Sequence, residues 1–181
     1  MTTTTKNNEA LASYRNAIDN AFETRIAEEK AKASDALVLE NKLKKIASYR
    51  ANIAHDAVLS TMLAAKIDAS FVMRKERANA FLDIYKIERV TQCARALAKA
   101  ESLHYYMRAI LLTAKALRDA SLDMTRDEVK SACTKDSKCA SKDAAKEALV
   151  IHAPKYVAPS TVQAQHASSL YALLTFNVLK E

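Results

Sequence analysis

The sequence predicts an all-α fold without a β-sheet. Three observations support this prediction: the 181 residues include no glycine, only two prolines, and abundant alanine with other strong helix formers. Turns that adopt a positive φ at no steric cost depend on glycine, so its absence argues against folds built from glycine loops. Half of the residues are hydrophobic and 27% are charged, which is the balance of a globular chain with a packed core.

The first predicted helix follows a short polar tail. Residues 1–8 lack apolar side chains after the initial methionine, and we expect them to form a flexible tail. From residue 9 to about Ala33, apolar side chains recur every three or four positions, the spacing of one helical face. The stripe consists of Leu11, Tyr14, Ile18, Phe22 and Ile26. It is long enough either to pair with another subunit or to form bundle core.

Three further long helices are predicted before residue 118. Ser34 and Asp35 can cap the second, which extends to about Asp68. A third lies between residues 71 and 99, where apolar residues occupy several faces because the helix is buried on several sides or breaks near Asn79. The fourth spans roughly residues 102–117. Together they predict an antiparallel bundle of about four long helices over residues 9–118.

The remaining residues, 119–181, predict a small C-terminal subdomain. Thr125 followed by Glu128 forms a capping-box pattern that opens a short helix. A second short helix is predicted from Lys142 to about His152. Pro154 and Pro159 mark a linker over residues 153–160, and one longer helix follows it. The fold prediction is therefore a four-helix bundle followed by two short helices and one longer helix.

Positive charge is concentrated in the middle of the chain. The net charge is +7, and residues 42–118 contain fifteen Lys or Arg against six Asp or Glu, whereas residues 1–41 contain five against seven. A local basic excess attracts polyanions, and Tyr49 and Tyr85 could stack on bases. The predicted phosphate-binding residues are Lys42, Lys44, Lys45, Arg50, Arg74, Lys75, Arg77, Lys86, Arg89, Arg95 and Lys99. The alternative is a solvated helix surface on which these cations pair with carboxylates.

Two short motifs resemble parts of helical metal sites. Glu101 and His104 match the Glu-x-x-His element of di-iron bundles, but such a site needs two of these elements, and no other histidine follows a glutamate at this spacing. His55 and Asp56 resemble the His-Asp pair of all-helical metal-dependent phosphohydrolases, which also use a histidine from an earlier helix. No histidine precedes His55, so neither motif predicts an enzyme or a resident metal.

The C-terminal residues offer two weaker hypotheses. Two cysteines and two histidines could bind tetrahedral zinc, although their spacing is too long for a usual zinc finger; they are Cys133, Cys139, His152 and His166. Residues 125–149 loosely resemble a helix-turn-helix that could contact phosphates through Lys138, Lys142 and Lys146.

The cysteine count and hydropathy indicate a location. Three cysteines, an odd number that includes Cys93, predict reduced thiols in a cytoplasmic compartment, with a Cys133–Cys139 bridge as the alternative. No apolar stretch has the length of a membrane span.

These observations predict a non-enzymatic, self-associating helical protein that binds nucleic acid largely through the phosphate backbone. The stripe from Leu11 to Ile26 would form the contact in a homo-oligomer, and no cofactor is expected. The alternative is a helical protein-interaction module, such as an adaptor, scaffold or inhibitor, that docks on an acidic partner protein.

Overall fold

The structure is a computed structural model that describes residues 3–77, 80–134, 142–152 and 159–180. It confirms the all-helical class. The helices are α1 (Thr3–Lys32), α2 (Ala36–Ile53), α3 (Asp56–Ala64), α4 (Ile84–Leu97), α5 (Tyr105–Asp119), α6 (Arg126–Ala132), α7 (Asp143–His152) and α8 (Pro159–Thr175). The chain forms two compact units, an N-terminal unit of residues 1–102 and a C-terminal unit of residues 103–181.

Helix α1 is longer than the sequence predicts because it begins at Thr3 and includes most of the expected tail. Once a packed stripe has nucleated a helix, each added residue gains one backbone hydrogen bond, so polar residues can extend it. Tyr14, Ile18 and Phe22 of the stripe are buried, and α1 packs against α2, α3 and the segment after α3. The stripe therefore forms core within the N-terminal unit.

The second predicted helix is divided into α2 and α3. Asp35 caps α2 as predicted, and its carboxylate accepts a hydrogen bond from the Val38 amide at 2.9 Å. The helix stops at Ile53, and α3 starts again after His55, whose Nδ1 accepts from the Ala57 amide at 3.4 Å. Apolar spacing continues through this break, and no glycine or proline marks it in the sequence. The His55 imidazole provides the new cap.

The third predicted helix is helical only in its second half. A 3-10 helix spans Ala69–Met73, and a short antiparallel ladder then joins β1 (Lys75–Arg77) to β2 (Ala80–Phe81). Helix α4 begins only at Ile84, after the Asp83 cap, which agrees with the alternative of a break near Asn79. The sequence predicts no β-sheet, and this five-residue ladder is a local departure within the confirmed helical class.

Helices α2 and α4 belong to the second and third predicted helices and run parallel, whereas consecutive helices of the predicted bundle would run antiparallel. The Lys45 ammonium lies 5.1 Å from the centroid of the Tyr85 ring. Farther along both helices, Arg95 Nη1 donates to the Asn52 carbonyl at 3.2 Å. The residue numbers of both partners rise together, so the two chains run in the same direction. This geometry is possible because α3, the 3-10 helix and the ladder return the chain to the end at which α2 begins.

The C-terminal unit is built around α5, which packs against α6, α7 and α8. The sequence places this helix in the bundle over residues 9–118, but the compact units divide after Ser102. The apolar face of α5, with Met107, Ile110 and Leu117, is fully buried. Because α5 packs against the later helices, it belongs to the C-terminal unit. The predicted capping box is present at α6, where Glu128 accepts from the Thr125 amide at 2.8 Å. The linker residues 153–158 lie outside the described residues.

Four of the described helices end in a left-handed residue that is not glycine. The positive φ values are 55° at Lys66, 57° at Lys99, 57° at Ser121 and 54° at Asn177. At the end of α4, for example, the Ala100 amide donates to the Arg95 carbonyl at 2.9 Å, which is the hydrogen bond that closes a Schellman motif. A glycine-free chain therefore still makes these turns, at a steric cost that glycine would avoid.

The C-terminal core contains buried polar groups. Among the described residues, the fully buried hydroxyls of Thr113, Ser131 and Ser169 have no hydrogen-bond partner. His166 is also buried, with Nδ1 2.8 Å from the Val162 carbonyl. Burial lowers the pKa of His166, the Val162 carbonyl partly offsets this effect, and the charges of Lys130 and Arg126 lower the pKa further.

We expect the C-terminal unit to lose stability as the pH falls below about 6.5, the ordinary histidine pKa. The unfolded chain binds this proton at a higher pH than the folded chain, so the contribution of neutral His166 is complete above that pH and declines below it. Urea unfolding at pH 7.5, 6.5 and 5.5 (~1 unit apart) measures the effect. The control H166Q should show a flatter pH dependence. An equal decline in H166Q would contradict the assignment.

Candidate interaction surfaces

Two of the predicted cations of α2 form ion pairs with acidic side chains of α1. Lys42 Nζ lies 3.1 Å from the Glu29 carboxylate. Arg50 Nε lies 2.9 Å from Asp19, and its Nη1 lies 2.5 Å from Glu23. The hydrogen bond to Glu23 raises the pKa of Arg50 above its ordinary value. The acidic first segment thus supplies counter-ions to the basic middle segment.

Three other predicted cations also have contacts within the N-terminal unit. Lys44 pairs with Glu40 at 2.6 Å, and Arg95 pairs with Glu101 at 3.0 Å. Arg89 is only 7% exposed, and its Nη1 donates to the side chain of Gln92 at 2.5 Å. A phosphate would have to compete with the present partners of these side chains.

The remaining predicted cations occupy different surroundings. Lys45 lies over the ring of Tyr85, which is 48% exposed. Burial lowers the pKa of Lys86, while Arg74 and Lys99 are exposed. The side chains of Lys75 and Arg77 lie outside the described part of the structure. Because Lys42 and Arg50 face α1 whereas Lys45 faces α4, the cations of a single helix already point to different neighbours.

A polar cleft of about 160 Å³ lies between α2 and α4. Tyr49 forms a hydrogen bond with Glu88, and both its burial and this carboxylate raise the pKa of Tyr49. Gln92 Nε2 donates to Glu88 at 3.4 Å, and Thr91 donates to the Ile87 carbonyl at 2.9 Å. In this cleft Glu88 thus bonds to both Tyr49 and Gln92, and its bond to Tyr49 joins the two helices.

The two incomplete metal motifs are used as structural elements. His55 caps α3, and Asp56 forms an ion pair with Arg15. His104 caps α5 through Nδ1, which accepts from the Tyr106 amide at 3.3 Å. Because Glu101 precedes α5 and pairs with Arg95, it does not share a helical face with His104. Among the described residues, neither pair gathers the additional ligands that its metal site would need.

The zinc hypothesis falls partly outside the described residues. Cys133 and His166 are buried, but Cys139 and the side chain of His152 belong to the part that is not described. Within residues 3–77, 80–134, 142–152 and 159–180, no three His, Cys, Asp or Glu side chains are grouped to hold a metal ion. Burial raises the pKa of Cys93 to about 12, which keeps this thiol protonated and weakly nucleophilic.

The helix-turn-helix hypothesis rests on α6 and α7, which contact each other. Lys142 donates to the Asp123 carbonyl, and Lys146 pairs with Asp143 at 3.2 Å. Lys138 and the connection between the helices lie outside the described residues. The two described lysines thus have partners in the C-terminal unit, which makes them weaker phosphate contacts than the sequence predicts.

An open groove with a volume of about 530 Å³ lies on the C-terminal unit. We call it the C-terminal groove, and its apolar lining consists of Ala114, Met124, Val129, Leu170, Leu174 and Leu179. Its polar rim includes Asp123, Thr125, Arg126 and Lys180. The volume falls within the roughly 300–1,000 Å³ of ligand pockets. The groove combines apolar walls with exposed charges.

Sequence reasoning did not identify this groove. Leu170 and Leu174 were expected in the apolar face of the last helix, but both are half-buried while Leu173 between them is fully buried. The sequence feature that could have indicated the groove is the width of the apolar face of α8. Residues 170 and 174 form a second row on this face, beside residue 173. Arg126 and Lys180 carried no signal, since they come together only in the folded unit.

No helix in the described ranges is both long enough and apolar enough to cross a membrane. Comparison with protein-family models finds no match, and neither do comparisons with curated proteins and with solved structures.

Proposed function

We propose that this chain is a non-catalytic helical interaction module that binds an acidic protein partner. The observation that carries the proposal is the C-terminal groove, which combines apolar walls with two exposed cations. Arg126 and Lys180 are exposed on its rim and form no ion pair with the described residues. The net charge of +7 would steer an acidic protein towards the chain.

Several predicted phosphate-binding cations are less suited to nucleic acid. Binding through the phosphate backbone gains affinity by releasing counterions from phosphates that Lys and Arg neutralise. Lys42, Lys44, Arg50 and Arg95 already have carboxylate partners, so a phosphate contact would replace one ion pair with another. This exchange reduces the expected gain, and it favours a protein partner over nucleic acid.

Nucleic acid is a second candidate because of one surface. Lys45 lies over the partly exposed ring of Tyr85, and proteins that bind single strands also combine cations with aromatic rings. The expected binding is weak, sequence-independent and sensitive to salt.

Self-association through the first helix would use a stripe that is partly packed inside the N-terminal unit, with Leu11 and Ile26 half-buried. Tyr14, Ile18 and Phe22 are buried inside the N-terminal unit, so a subunit contact through this stripe would require α1 to leave its own core.

Fluorescence anisotropy with three labelled probes tests the proposal. The probes are an amphipathic helical peptide of Leu and Glu, a poly-Glu peptide of the same length, and a single-stranded oligonucleotide. At physiological ionic strength we expect the Leu/Glu peptide to bind about tenfold or more tightly than the other two, a difference of about 1.4 kcal/mol. The oligonucleotide should lose its affinity steeply as salt rises.

Two outcomes of this experiment would contradict the proposal. If the oligonucleotide binds more tightly than both peptides at this ionic strength, the nucleic-acid function replaces the proposal. The variant K45E should weaken binding to the oligonucleotide but not to the Leu/Glu peptide. Equal binding of the two peptides would show that charge alone accounts for the interaction, which would also contradict a specific module.

A further inference from the structure

The C-terminal groove has the shape and charge to receive one particular kind of partner segment. We infer that it holds an amphipathic α-helix of the partner, with an apolar stripe in the groove and acidic residues beside the stripe. This inference rests on the proposed function and specifies the partner and the binding site.

The groove walls match a row of side chains on a helix. Leu170 and Leu174 lie four residues apart on α8, which separates them by about 6 Å along the helix axis. Met124 and Val129 belong to the same lining, and Ala114 of α5 contributes only a small side chain. An incoming helix presents apolar side chains with the same three- or four-residue repeat. Its stripe would cover the half-buried leucines that the unit leaves in contact with solvent.

The charges on the rim select acidic flanks. Arg126 is the first residue of α6, and Lys180 follows α8. Both are exposed, and neither forms an ion pair with the described residues. Asp123 also lies on the rim, so cations exceed carboxylates by two to one among the described rim residues. A partner carboxylate can form a bidentate contact with Arg126, and a basic helix would meet repulsion at two of the three charged positions.

The test uses the full chain, the Leu/Glu peptide and a variant with two reversed charges, R126E/K180E. Residue 126 begins α6, where a negative charge is favourable because of the helix dipole. The variant should therefore keep its fold, which circular dichroism and thermal unfolding can check. The matched control is R108E, which reverses an exposed charge on α5 that is not part of the groove lining.

We expect R126E/K180E to weaken peptide binding about tenfold or more, while R108E stays within about twofold of the unaltered chain. A second variant, L170S, should weaken binding by removing an apolar wall contact. A peptide with Lys in place of Glu should reverse the preference and bind R126E/K180E more tightly. This reversal cannot arise from loss of folding.

The possible failures are distinguishable. If the unaltered chain does not bind the Leu/Glu peptide, the proposed function fails together with the inference. If it binds the peptide but R126E/K180E and L170S bind equally well, the function stands and the inference about the groove is overturned. Saturable binding of decanoate without peptide binding would assign the groove to a small amphipathic acid. A concentration-dependent dimer that R126E/K180E abolishes would assign it to a second copy, and both results overturn the inference.

Discussion

Replacing Phe22 with alanine is expected to destabilise the N-terminal unit by roughly 3–5 kcal/mol. The side chain is completely buried, and its helix α1 packs against α2, α3 and the 3-10 helix. Removing the ring loses its burial and leaves a cavity that these elements cannot fill without moving. The loss is a large part of the roughly 5–15 kcal/mol that stabilises a domain. Denaturant unfolding followed by circular dichroism measures it.

The matched control is L37A, because Leu37 is 67% exposed on α2 and should change stability by less than about 0.5 kcal/mol. Light scattering on the same samples shows whether the stripe of α1 forms core or a subunit interface. If F22A converted an oligomer to a folded monomer of unchanged stability, the stripe would be a subunit contact after all. A loss of monomer stability supports its role as core.

Introducing glycine at left-handed helix ends is expected to stabilise the protein. Lys66 and Lys99 adopt φ values of 55° and 57°, a conformation that costs a residue with a Cβ about 1–2 kcal/mol. Glycine avoids this cost but loses more backbone entropy on folding, about 0.5–1 kcal/mol. The double variant K66G/K99G should therefore raise the free energy of unfolding of the N-terminal unit by about 1–2 kcal/mol, and S121G should raise that of the C-terminal unit by a smaller amount.

The control for this prediction places glycine where φ is helical. Lys115 lies inside α5, and K115G should destabilise by about 1 kcal/mol. Chemical denaturation of each variant gives the free energies. Destabilisation by K66G/K99G of the same size as in K115G would mean that the two helix ends do not adopt the left-handed conformation in solution.

The helical class followed from features that act locally. Apolar spacing located α1, and the side chains of Asp35 and Thr125 marked helix starts because a cap is a short-range hydrogen bond. The break at His55 was missed because the same periodicity continues across it. The parallel arrangement of α2 and α4 was missed because spacing along a helix contains no information about the direction of its neighbour.

The candidate binding residues were harder to predict, because a charge count does not reveal partners. Lys42 and Arg50 are of the residue types that bind phosphate. In the structure, however, each pairs with a carboxylate of α1 more than ten residues away in sequence. Arg126 and Lys180 stand in electrically balanced sequence, yet they are the cations beside an apolar groove. The difference depends on tertiary packing, which brings distant residues together.

The parallel pairing of α2 and α4 has a consequence for the order of assembly. Contacts between α1 and α2 join residues as close as 13 positions apart, whereas the contact between Arg95 and Asn52 spans 43. Closing the longer loop costs more chain entropy, and long-range contacts slow folding. We therefore expect α1 and α2 to form a local hairpin early. Helix α4 would then dock late, onto a surface that its predecessors have already built.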